Sequence, residues 1–378
     1  MNQFKFHSLG DVTARPGTLQ YGRWEALQHP TGHTEFLPII IAQGLEDGPC
    51  LWLTAGIHGV EHTGPLVIYS LLTAELAQKM RGTIIAIPAL NPAGLRTMKR
   101  EPYHAEKDPN RLWPDGKPKP EKPDPYKDPP SSLERAYEKL FNEIADCVDY
   151  MIDYHNAWTG SLSFGFLDRV LYRADQNAEQ YKAEAEALSH KQLEMLKAYG
   201  HTIVAEMPTE AIIDEELHRS TSAAILLLKR KPAITVELGT GHMPDPAIID
   251  AAVTGTRNIM RWAGMLDGEM EPITGIRVID PGYRANRCPA PRAREACVIR
   301  HLVQPGDFVK PGDPLAEALD IWGRPLPDHI LTSEYEGFVL ARSHGIFYYP
   351  GEPVLSLAIR DEAPLVKPYP EDYFKLRV

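Results

Sequence analysis

An apolar run, Cys50-Leu51-Trp52-Leu53-Thr54-Ala55, stops at Gly56 and is followed at once by Ile57-His58-Gly59-Val60-Glu61-His62. Such a run reads as a buried strand, and the glycines that end it leave the next side chains at the carboxyl edge of the sheet. Open α/β sheets place their active sites at that edge. His58 and Glu61, spaced His-x-x-Glu, let an imidazole nitrogen and a carboxylate oxygen converge on one small cation from a single turn. Alone the tetrapeptide carries little weight. His and Glu co-occur by chance, and a His at a strand end is commonly a hydrogen-bonded loop residue.

A second apolar strand pattern, Val148-Asp149-Tyr150-Met151-Ile152-Asp153-Tyr154-His155-Asn156, also ends in a His. His155 supplies a third ligand. Two His and one Glu leave the fourth position of a tetrahedral zinc site open to water or substrate, which is the arrangement of a catalytic site. The competing reading is a satisfied histidine near a strand end, and Asp153 has the alternative role of orienting an imidazole from behind. A third strand pattern, Pro232-Ala233-Ile234-Thr235-Val236-Glu237-Leu238-Gly239, carries a carboxylate where a purely structural strand prefers an apolar residue. Glu237 is therefore the candidate general base, able to take a proton from water and return it to a leaving nitrogen. Its alternative is a Glu paired with an Arg at a sheet edge.

These residues resemble the zinc carboxypeptidase superfamily and, within it, the succinylglutamate desuccinylase and aspartoacylase family. The order of motifs is the same over most of the chain: His-x-x-Glu, Asn-Pro followed by Arg, an Asp-x-Asn-Arg block, a remote His after an apolar strand, and a late strand Glu. The resemblance implies His58, Glu61 and His155 as ligands of one Zn2+ per chain and Glu237 as base. It also implies a substrate clamp of Arg100, Asn110 and Arg111. A guanidinium makes bidentate hydrogen bonds to a carboxylate, and a second one near zinc can polarise the scissile carbonyl. Proline at 109 departs from the family's usual small or apolar residue and restricts Asp108, which bears on how the clamp is oriented. The residue that finishes the substrate pocket is not evident; His218 and Arg219 are the candidates.

At 378 residues the chain exceeds the usual size of one domain, so two are expected. Residues 1–270 read as an α/β catalytic domain, with a zinc-carboxypeptidase-like mixed sheet flanked by helices. Helix patterns run from Thr63 to about Met80, Ser132 to Ala145, Asp175 to Tyr199 and Asp245 to Leu266. The stretch from Pro102 to Pro130 is rich in proline and reads as a functional loop, a lid or a solvated connection. After Asp267 the pattern changes to short strands broken by Gly and Pro, so residues 271–378 form a smaller all-β domain resembling a barrel-sandwich. Its turns resemble those of lipoyl and biotinyl carriers, but Ile321-Trp322-Gly323-Arg324-Pro325-Leu326-Pro327-Asp328 offers no Lys for a prosthetic group. A structural role, shielding the active-site mouth or joining subunits, is expected instead.

With 51 acidic against 40 basic residues the formal charge is −11, and no Lys/Arg-rich run tracks phosphates, so nucleic acid is not expected as a partner. The four cysteines lack Cys-x-x-Cys spacing, which favours a reducing, cytoplasmic setting. No apolar run reaches membrane-spanning length, and no signal peptide or membrane partner is read. The sequence is thus read as a zinc-dependent amidohydrolase that removes an acyl group from a small N-acylated carboxylate substrate; homo-oligomerisation is compatible with it. The alternatives are a metallocarboxypeptidase acting on short peptides and a non-catalytic zinc-binding protein.

Overall fold

The computed structural model describes residues 4–119, 125–126 and 128–375. Strand Glu46–Ala55 explains its own composition: Cys50 and Trp52 face one hydrophobic cluster while Leu51, Leu53 and Ala55 face another. A strand covered on both faces needs apolar residues at every position, not at alternate ones. Helices Ser132–Ile144 and Thr221–Leu228 close over the Trp52 side, and Thr63–Leu71 and Pro246–Trp262 over the Leu51 side.

Among the described residues the main sheet has twelve strands. At its centre Glu46–Ala55, Tyr150–Ala157 and Ala233–Thr240 lie parallel and adjacent, in the spatial order just given. Arg81–Ile87 pairs parallel to the first of these, and Thr34–Gln43 and Thr18–Gln28 extend that edge antiparallel. On the other side Ser163–Leu167 runs antiparallel to Ala233–Thr240, which makes the sheet mixed. Thr202–Ala205 follows and pairs with Ala285–Cys288, through which the sheet continues into Leu355–Arg360, Gly337–Arg342 and Phe308–Val309. A separate four-stranded sheet, Pro325–Thr332, Pro314–Leu319, Cys297–His301 and Phe347–Tyr348, packs on these last strands around Leu315, Leu331, Val339 and Leu357. The C-terminal part is all β. Its tail returns to the α/β part, where Val366–Pro368 pairs parallel with Val170–Tyr172.

Several elements differ from the sequence reading. The helix expected from Thr63 to about Met80 is two, Thr63–Leu71 and Ala74–Lys79, because the Thr73 side chain accepts from the Leu76 amide and starts a new helix. Such a cap contributes about 1 kcal/mol. The helix read from Asp175 begins at Ala178 and closes on Gly200, whose φ of 82° suits glycine. The one read from Asp245 is Pro246–Trp262, with Asp245 as its cap. The proline-rich stretch 102–130 is only partly loop-like, and its residues 120–124 and 127 lie outside the described residues. Pro109–Arg111 forms a 3₁₀ turn, and Trp113 is fully buried, stacked on Tyr137 at 4.8 Å.

Candidate active site

Strand direction builds the site. Glu237 stands opposite His155 in the parallel register, and Thr54 opposite Asp153, so groups from three neighbouring strands meet at their carboxyl ends. Gly56, with φ of 64°, turns the chain out of the first strand and carries His58 and Glu61 to the same place. Gly59 then lies against Gly94: a Cβ on Gly59 would sit 1.9 Å from the Gly94 carbonyl carbon. The Asn91-Pro92-Ala93-Gly94 segment is the start of helix Pro92–Thr97. Asn91 caps it through Gly94 N at 2.8 Å, and its amide reaches the Ile57 carbonyl at 3.1 Å and the Arg100 carbonyl at 3.3 Å. One side chain thereby holds the His58 loop and the Arg100 segment together.

His58, Glu61 and His155 are buried, and their ligand atoms all lie within 4.8 Å of one another. His58 Nδ1 is 2.7 Å from Glu61 Oε1, and His155 Nδ1 is 2.9 Å from Glu61 Oε2. The outer nitrogens face carboxylates as well: His58 Nε2 lies 3.0 Å from Asp108, and His155 Nε2 3.0 Å from Asp153, itself held by the Thr54 hydroxyl at 2.6 Å. If each outer N–H donates to its Asp, each inner Nδ1 turns a lone pair toward Glu61. Two acceptors at under 3 Å repel unless a proton or a cation lies between them. Two imidazoles, one carboxylate and two carboxylates behind them therefore fit a zinc ion.

The electrostatics agree with this charge pattern. Burial alone would raise the Glu61 carboxyl, but His58 and His155 outweigh it and hold the group well below the usual range. Burial would lower His155, yet Asp153 and Glu61 raise it well above its ordinary value. Burial pushes Glu237 up to about 7, opposed by His155 and assisted by Glu61. Its Oε2 is buried with no hydrogen-bond partner among the described residues.

The clamp residues stand around this centre. Arg100 donates to Asp108 at 2.7 Å and lies 3.8 Å from Glu61. Asn110 accepts from the Thr221 amide and hydroxyl at 2.9 and 3.0 Å, with its own Nδ2 3.4 Å from His155. Arg111 donates to the carbonyls of Asn110 and Glu215, each at 2.8 Å. The Asp108 side chain accepts from Asn110 N at 2.8 Å and reaches His58 and Arg100 as well. His218 and Arg219 are engaged elsewhere, His218 against the Tyr373 ring and Arg219 on Glu134 and the Trp113 carbonyl.

Two residues near the site escaped the sequence reading. Asp108 was read as part of the clamp motif, not as the partner of His58. Arg287, on strand Ala285–Cys288, holds Glu206 through contacts of 3.0 and 3.1 Å and crosses the Phe166 ring at 5.2 Å. Burial alone would lower it, but Glu206 and Glu237 raise it, so a cation from the C-terminal part lies within electrostatic reach of the candidate base. The only signal for it was an arginine inside a short strand.

A sequence profile of the succinylglutamate desuccinylase/aspartoacylase catalytic domain matches residues 47–263. An N-alpha-acetyl-L-2,4-diaminobutyric acid deacetylase from Halomonas elongata is 22% identical over 334 residues, 85% of each chain. The product-bound ectoine utilization protein EutE (DoeB) from Ruegeria pomeroyi shares the fold at a TM-score of 0.70 and 18% identity, over 90% of this chain and 95% of its own. A succinylglutamate desuccinylase/aspartoacylase from Rhodobacter sphaeroides does so at 0.70 and 19%, over 94% and 100%. The chain belongs to the succinylglutamate desuccinylase/aspartoacylase family, whose members are deacylases that hydrolyse the amide of N-acyl amino acids.

Proposed function

We propose that this chain is a zinc-dependent deacylase that removes the acyl group from a small N-acyl amino acid or related amide. The observation that carries the reading is the meeting of His58, Glu61 and His155 at the ends of parallel strands, with Glu237 in register beside His155. His58, Glu61 and His155 hold the ion, and Asp108 and Asp153 orient the two imidazoles. A bound zinc ion supplies Lewis acidity and makes water more acidic.

Glu237 takes the proton of the attacking water and returns it to the leaving nitrogen. A carboxyl raised toward neutrality by burial suits both steps, because a catalytic group works best with a pKa near the working pH. Arg100 swings from Asp108 toward the developing oxyanion. Asn110, Arg111 and Arg287 bind the substrate carboxylate. In this reading residues 1–270 carry the chemistry, and 271–378 add Arg287 to the pocket.

The test is hydrolysis by metal-quantified enzyme of N-acetyl, N-formyl and N-succinyl amino acids, including N-acetylated diamino acids, beside free dipeptides. Release of an acyl acid is expected. Cleavage of dipeptides alone would establish a peptidase instead. Glu237→Gln is expected to keep its metal and lose about 10²–10⁴ in kcat; turnover near the wild-type rate would remove Glu237 from the role of base.

A further inference from the structure

A second group of metal-ligating side chains lies outside the active site. His29 sits in the turn between strands Thr18–Gln28 and Thr34–Gln43, Glu35 on the second of these strands, and His104 on the segment between Arg100 and Asp108. Their ligand atoms lie within 4.8 Å of one another. His104 Nε2 is 3.6 Å from Glu35 Oε1, and the His29 and His104 rings meet edge to face at 5.0 Å. Tyr103 and His33 stack on His29 at 6.2 and 5.9 Å and fix its plane.

Nε2 of His29 and Nε2 of His104 are both buried, and neither has a hydrogen-bond partner among the described residues. A buried polar atom without a partner costs about 1–3 kcal/mol. Two of them in one cluster with a carboxylate call for a shared occupant.

We propose that His29, Glu35 and His104 form a second divalent-cation site. Two imidazole nitrogens and one carboxylate oxygen are a donor set for Zn2+ or another ion of similar softness, with water completing the shell. The ion would tie the segment from Arg100 to Asp108 to the sheet edge. Both ends of that segment touch the active site, since Asp108 holds His58 and Arg100 approaches Glu61. The second ion is therefore a brace for the clamp, not a participant in the chemistry.

The test counts zinc in the full chain after equilibrium dialysis and gel filtration. H58A/H155A, which lacks the active-site imidazoles, is expected to retain about one ion and to melt several degrees higher when zinc is added. The same variant carrying H29A and H104A is expected to show neither. Wild type should hold about two ions and H29A/H104A about one, a comparison that decides the matter even if H58A/H155A does not fold. Equal zinc in wild type and H29A/H104A would overturn the proposal and leave a water-bridged cluster. A wild type with one ion, lost in H29A/H104A but kept in H58A/H155A, would support this site and overturn zinc at the active site, so the two readings fail separately.

Discussion

Asp153 is wholly buried between the Thr54 hydroxyl and His155 Nε2. A carboxylate behind a metal-binding imidazole fixes its tautomer and raises its basicity. Asp153→Asn is expected to weaken zinc binding about 10–100-fold with the fold intact, as read by competition with a chelator; unchanged affinity would make Asp153 a structural residue only. His201 argues a different point. Burial pushes its pKa down to about 4, against about 6.5 in an unfolded chain. Below pH 6.5 the unfolded chain takes up a proton that the folded one refuses, so stability falls as pH drops toward 4. Between pH 7.5 and 5 this amounts to about 2 kcal/mol in urea unfolding. His201→Gln should lose that part of the pH dependence, and an identical slope in the variant would reject it. At this scale the sequence shows residue types and spacing but not partners. His58, Glu61, His155 and Glu237 stand out because each ends or interrupts an apolar run. Asp108 and Arg287 do not, because their meaning lies in what they touch.

The His58 loop is held by contact with helix Pro92–Thr97 more than by its own conformation. Gly59 has room for no side chain, its Cβ position falling inside the Gly94 backbone. Gly59→Ala must push the loop off the helix, at a cost of about 1–3 kcal/mol, and should lower zinc affinity more than it lowers the melting temperature. A variant with wild-type zinc affinity would show that the loop yields without disturbing its ligands. Strand and helix patterns were readable wherever burial on both faces or one face left a clean period. Boundaries were set by caps. Thr73 divides a helix that hydrophobic spacing alone runs together, and Asn91-Pro92 starts one too short to show a period. Trp113 shows the limit of composition, since proline-rich surroundings hid a residue that belongs to the core.

Across the whole molecule, the C-terminal β part shares the main sheet and its hydrophobic interior. Phe164, Phe166 and Val204 pack with Ile279, Ala285, Phe338 and Leu340 in one cluster. Arg169, fully buried, fastens the returning tail by donating to Asp361 at 3.1 Å and to the Ala363 and Pro364 carbonyls, each at 3.1 Å. A chain ended at residue 270 would expose that cluster and leave Thr202–Ala205 as an open edge. It is expected to be insoluble or to bind the dye ANS strongly; a soluble fragment with a sharp melting transition would show that the α/β part stands alone. The change of composition near 267 was visible in the sequence. The strand pairing across it was not, because which edges join is decided by residues far apart in the chain.

The strand bearing His155 lies between the strand that leads to His58 and the strand that bears Glu237, and it is also made between them. During synthesis, the early part of the chain displays two of the three donors to solvent and cannot close around an ion. The pocket exists only once a late strand has joined an early one across a long stretch of intervening polypeptide, and pairing at such sequence distance is slow. Zinc held by His58, Glu61 and His155 would thus report the pairing of the first two of these strands, before the strand that bears Glu237 has joined them.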